Sequence, residues 1–196
     1  MKSSILIILS TSIVYLNWNG MKKENIKEKE DLIYLVQEEK LARDVYHYAF
    51  NKHGLKIFQN ISSSEQYHMD QAIGLLKKYN IENPVADMES GKFENSTLQQ
   101  LYNDLIARVD LSPTEALFVG ATIEDMDIHD IDELIKNTEK EDVLHVYNLL
   151  TCGSRNHMRA FSRQLRNRNQ TYDPQYISQK EYQSVIEGQH ERCGML

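Results

Sequence analysis

The chain has 196 residues, of which 41% are hydrophobic and 26% are charged, as in one globular domain with a sizeable core. Its formal net charge of −7 excludes a general nucleic-acid binder, which needs a basic face. With only 8 glycines and 3 prolines, the sequence favours long helices over a turn-rich β-architecture.

The first twenty residues form a separate segment, in which Lys2 precedes an apolar run over residues 5–16. This run is short for a transmembrane helix and has the length of the core of a secretory signal. We therefore expect residues 1–20 to be a signal peptide or membrane anchor of an extracytoplasmic or membrane-anchored protein. No small-residue cleavage site follows, and if translation starts at Met21 the protein is cytoplasmic.

Helical periodicity predicts two long helices at the start of the domain. The first covers about residues 26–53, with Gly54 as its C-cap. The second covers about residues 61–79, with a serine from 62–64 as its N-cap and Asn80 at its end. The short connection between them indicates a helical hairpin.

A long polar connection over residues 81–94 leads into a short helix over about 96–108, which begins at Ser96 or Thr97. A bundle whose helices do not simply alternate in direction needs one such crossover. We expect the short helix to lie within this connection.

The Ser-Pro-Thr-Glu sequence at Ser112 is typical of a helix start, with an N-cap, a proline in the first turn and an acid three residues later. A third long helix follows over 113–127, with further helical turns over 128–137. The last long helix covers about 139–167, and residues 171–196 form a strap that includes a short helix.

These elements predict an all-α fold in which residues 26–170 form a four-helix bundle and residues 171–196 form a C-terminal strap. Two cysteines, Cys152 and Cys193, are too few for a disulfide framework or a Cys-rich metal centre. We expect each cysteine to stand alone, although an exported protein could join them in a single bridge.

Polar residues interrupt the apolar stripe of each long helix at positions where leucine is expected. They are Glu39, Glu65, His68, Glu124 and His157. Isolated charges buried at such positions cost on the order of several kcal/mol unless they are paired or bound to metal. Three carboxylates and two imidazoles from four helices therefore predict a metal site, with two irons or, alternatively, manganese as its ions.

Local spacing favours particular ligands on the first two helices. Glu65 and His68 are three residues apart, so they share a helix face and can hold one ion; the alternative is a core histidine beside an exposed acid. Glu39 is in phase with its apolar stripe, whereas Glu38 is rotated by about 100° toward water or a partner of the ligands.

Further residues around these ligands have weaker patterns. Asp127, three residues after Glu124, can reach the same metal pair, but acids near a helix end can also be solvated. Tyr46 lies two turns beyond Glu39, where its hydroxyl can support a ligating carboxylate or simply pack in the core. We assign a similar supporting role to Arg43.

These residues resemble the ferritin-like superfamily, and rubrerythrin-type di-iron carboxylate proteins in particular. The superfamily signature E-x-x-A-R-x-x-Y is seen at residues 39–46, and E-x-x-H at residues 65–68. More closely, residues 38–46, 64–69 and 153–157 are similar to DUF2202, a bacterial and archaeal family of this superfamily without an established function.

The resemblance implies a four-helix bundle with a carboxylate-bridged metal pair. It implies as ligands Glu39, Glu65, His68, Glu124 and His157. Where the superfamily has E-x-x-H on its last helix, this chain has Ser154 three residues before His157, so one carboxylate is missing. Asp127 or water replaces it, or the second metal binds weakly. Rubrerythrins also carry a Cys-rich electron-transfer module, which two cysteines cannot form.

The expected function is metal binding, with oxidation of ferrous iron or reduction of peroxide as a di-iron oxidoreductase of ferroxidase or peroxidase type. The alternative is a non-catalytic bundle for metal sequestration or protein interaction, with a structural metal or none and with its acids paired to Arg43, Arg155 and Arg159. The expected partners are metal ions together with oxygen or peroxide, and a homodimer is also compatible with the sequence.

Overall fold

The computed structural model of the protein describes residues 11–194, with side chains from Lys27 onward, and within this range it contains helices and no strand. The helices are α1 (Thr11–His53), α2 (Lys56–Lys78), α3 (Ser96–Val109), α4 (Pro113–Ile135), α5 (Glu141–Arg166) and α6 (Gln179–Glu187). The predicted all-α class is confirmed. Residues 1–10, half of the predicted signal or anchor segment, lie outside the described residues. No helix within 11–194 is long and apolar enough to cross a membrane.

The four long helices pack as a ring in which α1 and α5 each contact both α2 and α4. An apolar cluster at one end of the ring combines the C-terminal parts of α1 and α5 with the first turns of α2 and with residues 116–128 of α4. A second cluster at the other end combines the opposite parts of the same helices. Neighbouring helices are therefore antiparallel. Because α2 and α4 begin at the same end, the connection between them returns along the bundle.

The first two helices start earlier than predicted. α1 begins at Thr11 rather than near residue 26, and it ends before Gly54, whose φ of +67° confirms the predicted C-cap. α2 begins at Lys56 without a side-chain cap, so the serines at 62–64 lie inside the helix. Burial of Phe58, which is 1% exposed, stabilises this additional first turn.

α4 is one continuous helix rather than a helix and a separate turn. The predicted cap is confirmed, since the Ser112 hydroxyl accepts a hydrogen bond from the Glu115 amide at 3.0 Å. The helix continues to Ile135 because Ile128 and Ile131, each 1% exposed, extend its buried face and residues 121–135 contain no proline or glycine.

The returning connection is fastened to α1 by a buried lysine. The ammonium of Lys40 donates hydrogen bonds to the Asp44 carboxylate at 2.6 Å and to the carbonyl oxygens of Glu89 and Lys92 at 2.9 and 3.1 Å. α3 then begins at the predicted Ser96, with Asn95 rather than Ser96 or Thr97 as its cap.

The C-terminal strap is anchored to α4 by one buried carboxylate. Asp125 accepts hydrogen bonds from the Tyr172 hydroxyl at 2.8 Å and from the amides of Gln175, Tyr176 and Ile177 at 2.6, 3.1 and 3.0 Å. The strap then enters α6, which packs against α5. The predicted short helix of the tail is thus present.

The two cysteines are joined, so the prediction that each stands alone is wrong. Cys152 on α5 forms a disulfide with Cys193 at the end of the strap. Glu191 brings this end of the strap to α5 by pairing with Arg155 and Arg159, each at 2.6 Å. The sequence could not show this pairing, because it depends on the path of the strap.

Removal of the Asp125 carboxylate is expected to detach the strap. Asp125→Ala leaves four donors from residues 172–177, two of them buried, without their acceptor, which should lower the free energy of unfolding by about 3 kcal/mol. Chemical denaturation measures this loss, and trypsin should cleave faster at Arg168. Tyr172→Phe, which removes one of the four bonds, should cost only about 1 kcal/mol. Equal losses in the two variants would contradict the anchoring role.

Candidate metal centre

The polar residues that interrupt the four apolar stripes meet in one layer between the two apolar clusters. Their exposed fractions range from 0% for Glu124 to 9% for His157. Their ligand atoms form two groups, each within 4.8 Å, namely Glu39–Glu65–His68 and Glu65–Glu124–His157. We call these five residues the metal layer. The structure thus brings together all five side chains of the implied ligand set.

Glu65 is the carboxylate that both groups share. Its Oε2 lies 2.7 Å from His68 Nδ1, and its Oε1 lies 2.8 Å from His157 Nδ1. Glu39 Oε2 lies 3.5 Å from His68 Nδ1, and Glu124 Oε2 lies 3.4 Å from His157 Nδ1. Each group therefore contains one terminal carboxylate, one imidazole and one oxygen of Glu65. A carboxylate that bridges two ions has this arrangement.

Most of these buried atoms lack a hydrogen-bond partner. The unpartnered atoms of the layer are Glu39 Oε2, Glu65 Oε1 and Oε2, His68 Nδ1, Glu124 Oε2 and His157 Nδ1. The atoms are close, but their alignment is not that of hydrogen bonds. Oxygens and nitrogens bound to one ion at about 2.0–2.2 Å lie about 3 Å apart. Since buried polar groups are normally satisfied, the donor set fits metal ions.

The arginines predicted as alternative partners of these acids bind elsewhere. Arg43 donates to Asp44 at 2.7 Å and to the Gln66 side chain at 2.7 Å. Arg155 and Arg159 both pair with Glu191. Among residues 27–194, no lysine or arginine forms an ion pair with a carboxylate of the metal layer. Arg43 therefore forms no hydrogen bond or ion pair with the layer that it is predicted to support.

Burial and the mutual proximity of the five side chains shift their pKa values. Burial raises the pKa of Glu39 to about 7 and also raises the pKa of Glu124, while His68 and His157 oppose these shifts. Burial acts in the same direction on Glu65, but the two histidines outweigh it and lower its pKa. The carboxylates in turn raise the pKa of His68, and that of His157 to about 10, against the effect of burial. Metal ions would replace the protons that the metal-free imidazoles hold.

Two hydroxyl groups orient members of the layer. Tyr46, completely buried, donates to Glu124 Oε1 at 2.5 Å, which is the contact with a candidate ligand that its position in the helix predicts. The Ser64 hydroxyl lies 3.0 Å from His157 Nε2, so it holds the ring with Nδ1 toward Glu65. Ser64 was missed as a candidate because its partner lies on α5, and no local pattern indicates that contact.

Three other acidic or hydroxyl positions lie around the layer. Ser154 is buried, but its hydroxyl donates to the Leu150 carbonyl oxygen at 3.2 Å and does not replace the missing carboxylate. Asp127 is 6% exposed, and burial together with Glu39 and other acids raises its pKa, but neither ligand group includes it. Its role as a ligand stays a prediction. Glu38 does not face water, since it is 5% exposed.

Gly153 permits the close approach of α2 and α5 beside the layer. A Cβ at this position would lie 2.3 Å from His68 Nε2, so the ring packs directly on the α5 backbone. A cavity of about 420 Å³ adjoins this contact and is lined by His68, His157 and Tyr67 of the bundle and by strap residues 190–193. Small molecules can approach the two imidazoles from this cavity.

Addition of one methyl group at Gly153 is expected to displace His68. Gly153→Ala should weaken metal binding by about tenfold or more, because the imidazole can no longer keep its place against α5. Titration with metal measures the affinity, and circular dichroism checks the helices. Gly74→Ala on α2 is the matched control, since its Cβ would meet nothing within 4 Å. Equal affinities in both variants would contradict the importance of this contact.

Comparisons with known proteins agree with the extent of the bundle. The model of a family described as "Uncharacterized protein domain (DUF2202)" matches residues 28–189. The chain is 51% identical over 166 residues to the uncharacterized protein MJ0754 of Methanocaldococcus jannaschii, which covers 85% of this chain and 90% of the relative. The crystal structure of hypothetical protein MJ0754 from Methanococcus jannaschii is similar with a TM-score of 0.83 and 46% identity, over 96% of this chain and 100% of that one.

Proposed function

The chain belongs to the DUF2202 family, and we propose that its metal layer binds two ions, preferentially iron, for the oxidation of ferrous iron or the reduction of peroxide. The observation that carries this proposal is the set of six buried and unpartnered ligand atoms, arranged in two groups around Glu65. Carboxylate and imidazole donors suit iron or manganese. A pair of iron ions supplies electrons to oxygen or peroxide by cycling between ferrous and ferric states.

Each ion would be bound by the shared Glu65 and by two further residues of the layer. Glu65 would hold both ions, and Glu39 with His68 and Glu124 with His157 would complete one site each. At Ser154, where the ferritin-like pattern has a carboxylate, water or Asp127 would have to complete the coordination of the ions.

Protein purified without chelators should contain two metal ions per chain and change its absorption when peroxide is added. The double variant Glu65→Gln, His68→Leu should lose both ions, because it removes the shared carboxylate. Metal analysis measures this loss. In the presence of a chelator, the Tm of the variant should equal or exceed that of the wild-type protein, since the variant no longer buries these charges without metal.

The matched control is Glu139→Gln with His145→Leu, which makes the same chemical changes at two exposed positions of the chain. It should keep two ions per chain and the response to peroxide. Folded metal-free protein that takes up no added iron would contradict the proposal.

A second candidate function is a non-catalytic bundle with a structural metal. The missing carboxylate at Ser154 favours it, because a site with fewer carboxylates is less suited to oxygen chemistry. Loss of the metal distinguishes the two candidates. A structural metal predicts that Glu65→Gln, His68→Leu unfolds the bundle, whereas the redox proposal predicts a folded and inactive variant.

A further inference from the structure

The disulfide lies in the wall of the cavity that leads to the metal layer. Cys193 lines this cavity together with His68 and His157. Cys152, its partner, directly precedes Gly153, on whose backbone the His68 ring packs. Both sulfur-bearing residues are therefore next to groups that contact a candidate ligand.

The surroundings of Cys193 favour a reactive sulfur. The Asn156 amide donates a hydrogen bond to Cys193 Sγ at 3.3 Å, and Asn156 is itself held by the backbone of Glu191 at 2.9 and 3.0 Å. A hydrogen-bond donor at this position stabilises the thiolate, which is the reactive form of cysteine. Cys193 is also partly exposed, whereas Cys152 is 9% exposed, so a reductant in solution meets Cys193 first.

The strap has other anchors besides the disulfide. Asp125 already binds residues 172–177 by four hydrogen bonds, and Glu191 is paired with Arg155 and Arg159. The strap therefore has other anchors, and the bridge lies beside the candidate metal centre. This combination favours a chemical role for the bridge in addition to structural support.

We propose that Cys152 and Cys193 are the two-electron donor of the metal layer, an inference that rests on the peroxide reduction proposed above. The two thiols lose two electrons and two protons as the S–S bond forms. The O–O bond of peroxide breaks, and the electrons and protons convert it to two molecules of water. A dithiol reductant in solution then reopens the bridge by thiol–disulfide exchange.

The test compares reduced protein in three states, namely loaded with ferrous iron, loaded with zinc, and metal-free. After removal of the reductant under nitrogen, each state receives two equivalents of peroxide per chain, and the remaining thiols are alkylated and counted by mass spectrometry. The iron-loaded protein should form the Cys152–Cys193 bridge at least tenfold faster than the other two. No bridge, or equal rates in all three states, would overturn the inference.

Two variants separate this inference from the proposed function. Iron added to Glu65→Gln, His68→Leu should give no acceleration of bridge formation; acceleration there would show unspecific oxidation and overturn the inference. Iron-loaded Cys152→Ser, Cys193→Ser reports peroxide consumption without the thiols. If it consumes peroxide while the wild-type thiols stay reduced, the electron-donor role alone fails. If neither protein consumes peroxide, the peroxide-reducing function fails as well.

Discussion

Burial of three carboxylates and two imidazoles between two apolar clusters is the constraint on which this structure depends. An unpaired carboxylate in such a place costs on the order of several kcal/mol, and no arginine or lysine among residues 27–194 pairs with those of the layer, which leaves the two imidazoles as their partners within the chain. The ring of helices makes this convergence possible, because α1, α2 and α5 carry their candidate ligands between the parts that enter the two apolar clusters, and α4 packs against α1 and α5.

Three other charged side chains, two of them buried, serve the architecture. Lys40 holds the returning connection, Asp125 holds the strap, and Glu191 holds the end of the strap against α5. Each is satisfied by several hydrogen bonds or ion pairs. The contrast with the metal layer is informative, since the same protein leaves Glu65 with two unpartnered oxygens. Lack of partners is therefore a property of this layer, and of the neighbouring Glu38, rather than of buried polar groups in general.

The strap links the metal layer to the surface. Its residues 190–193 form one side of the cavity that reaches His68 and His157, and the disulfide closes the strap onto α5. The same segment carries one of the two cysteines of the chain. Two candidate metal ligands, His68 and His157, and one of the two disulfide-bonded cysteines therefore line the same cavity.

Helical phase could be derived from the sequence alone, because a repeat of 3.6 residues places Glu39 and Glu65 on the buried faces of their helices whatever those helices contact. Contacts between helices could not be derived in this way. The bond of Ser64 to His157, the packing of His68 on Gly153 and the Cys152–Cys193 bridge all depend on how far one element is shifted along another. Such shifts are set by packing of the whole core, which no single stretch of residues encodes.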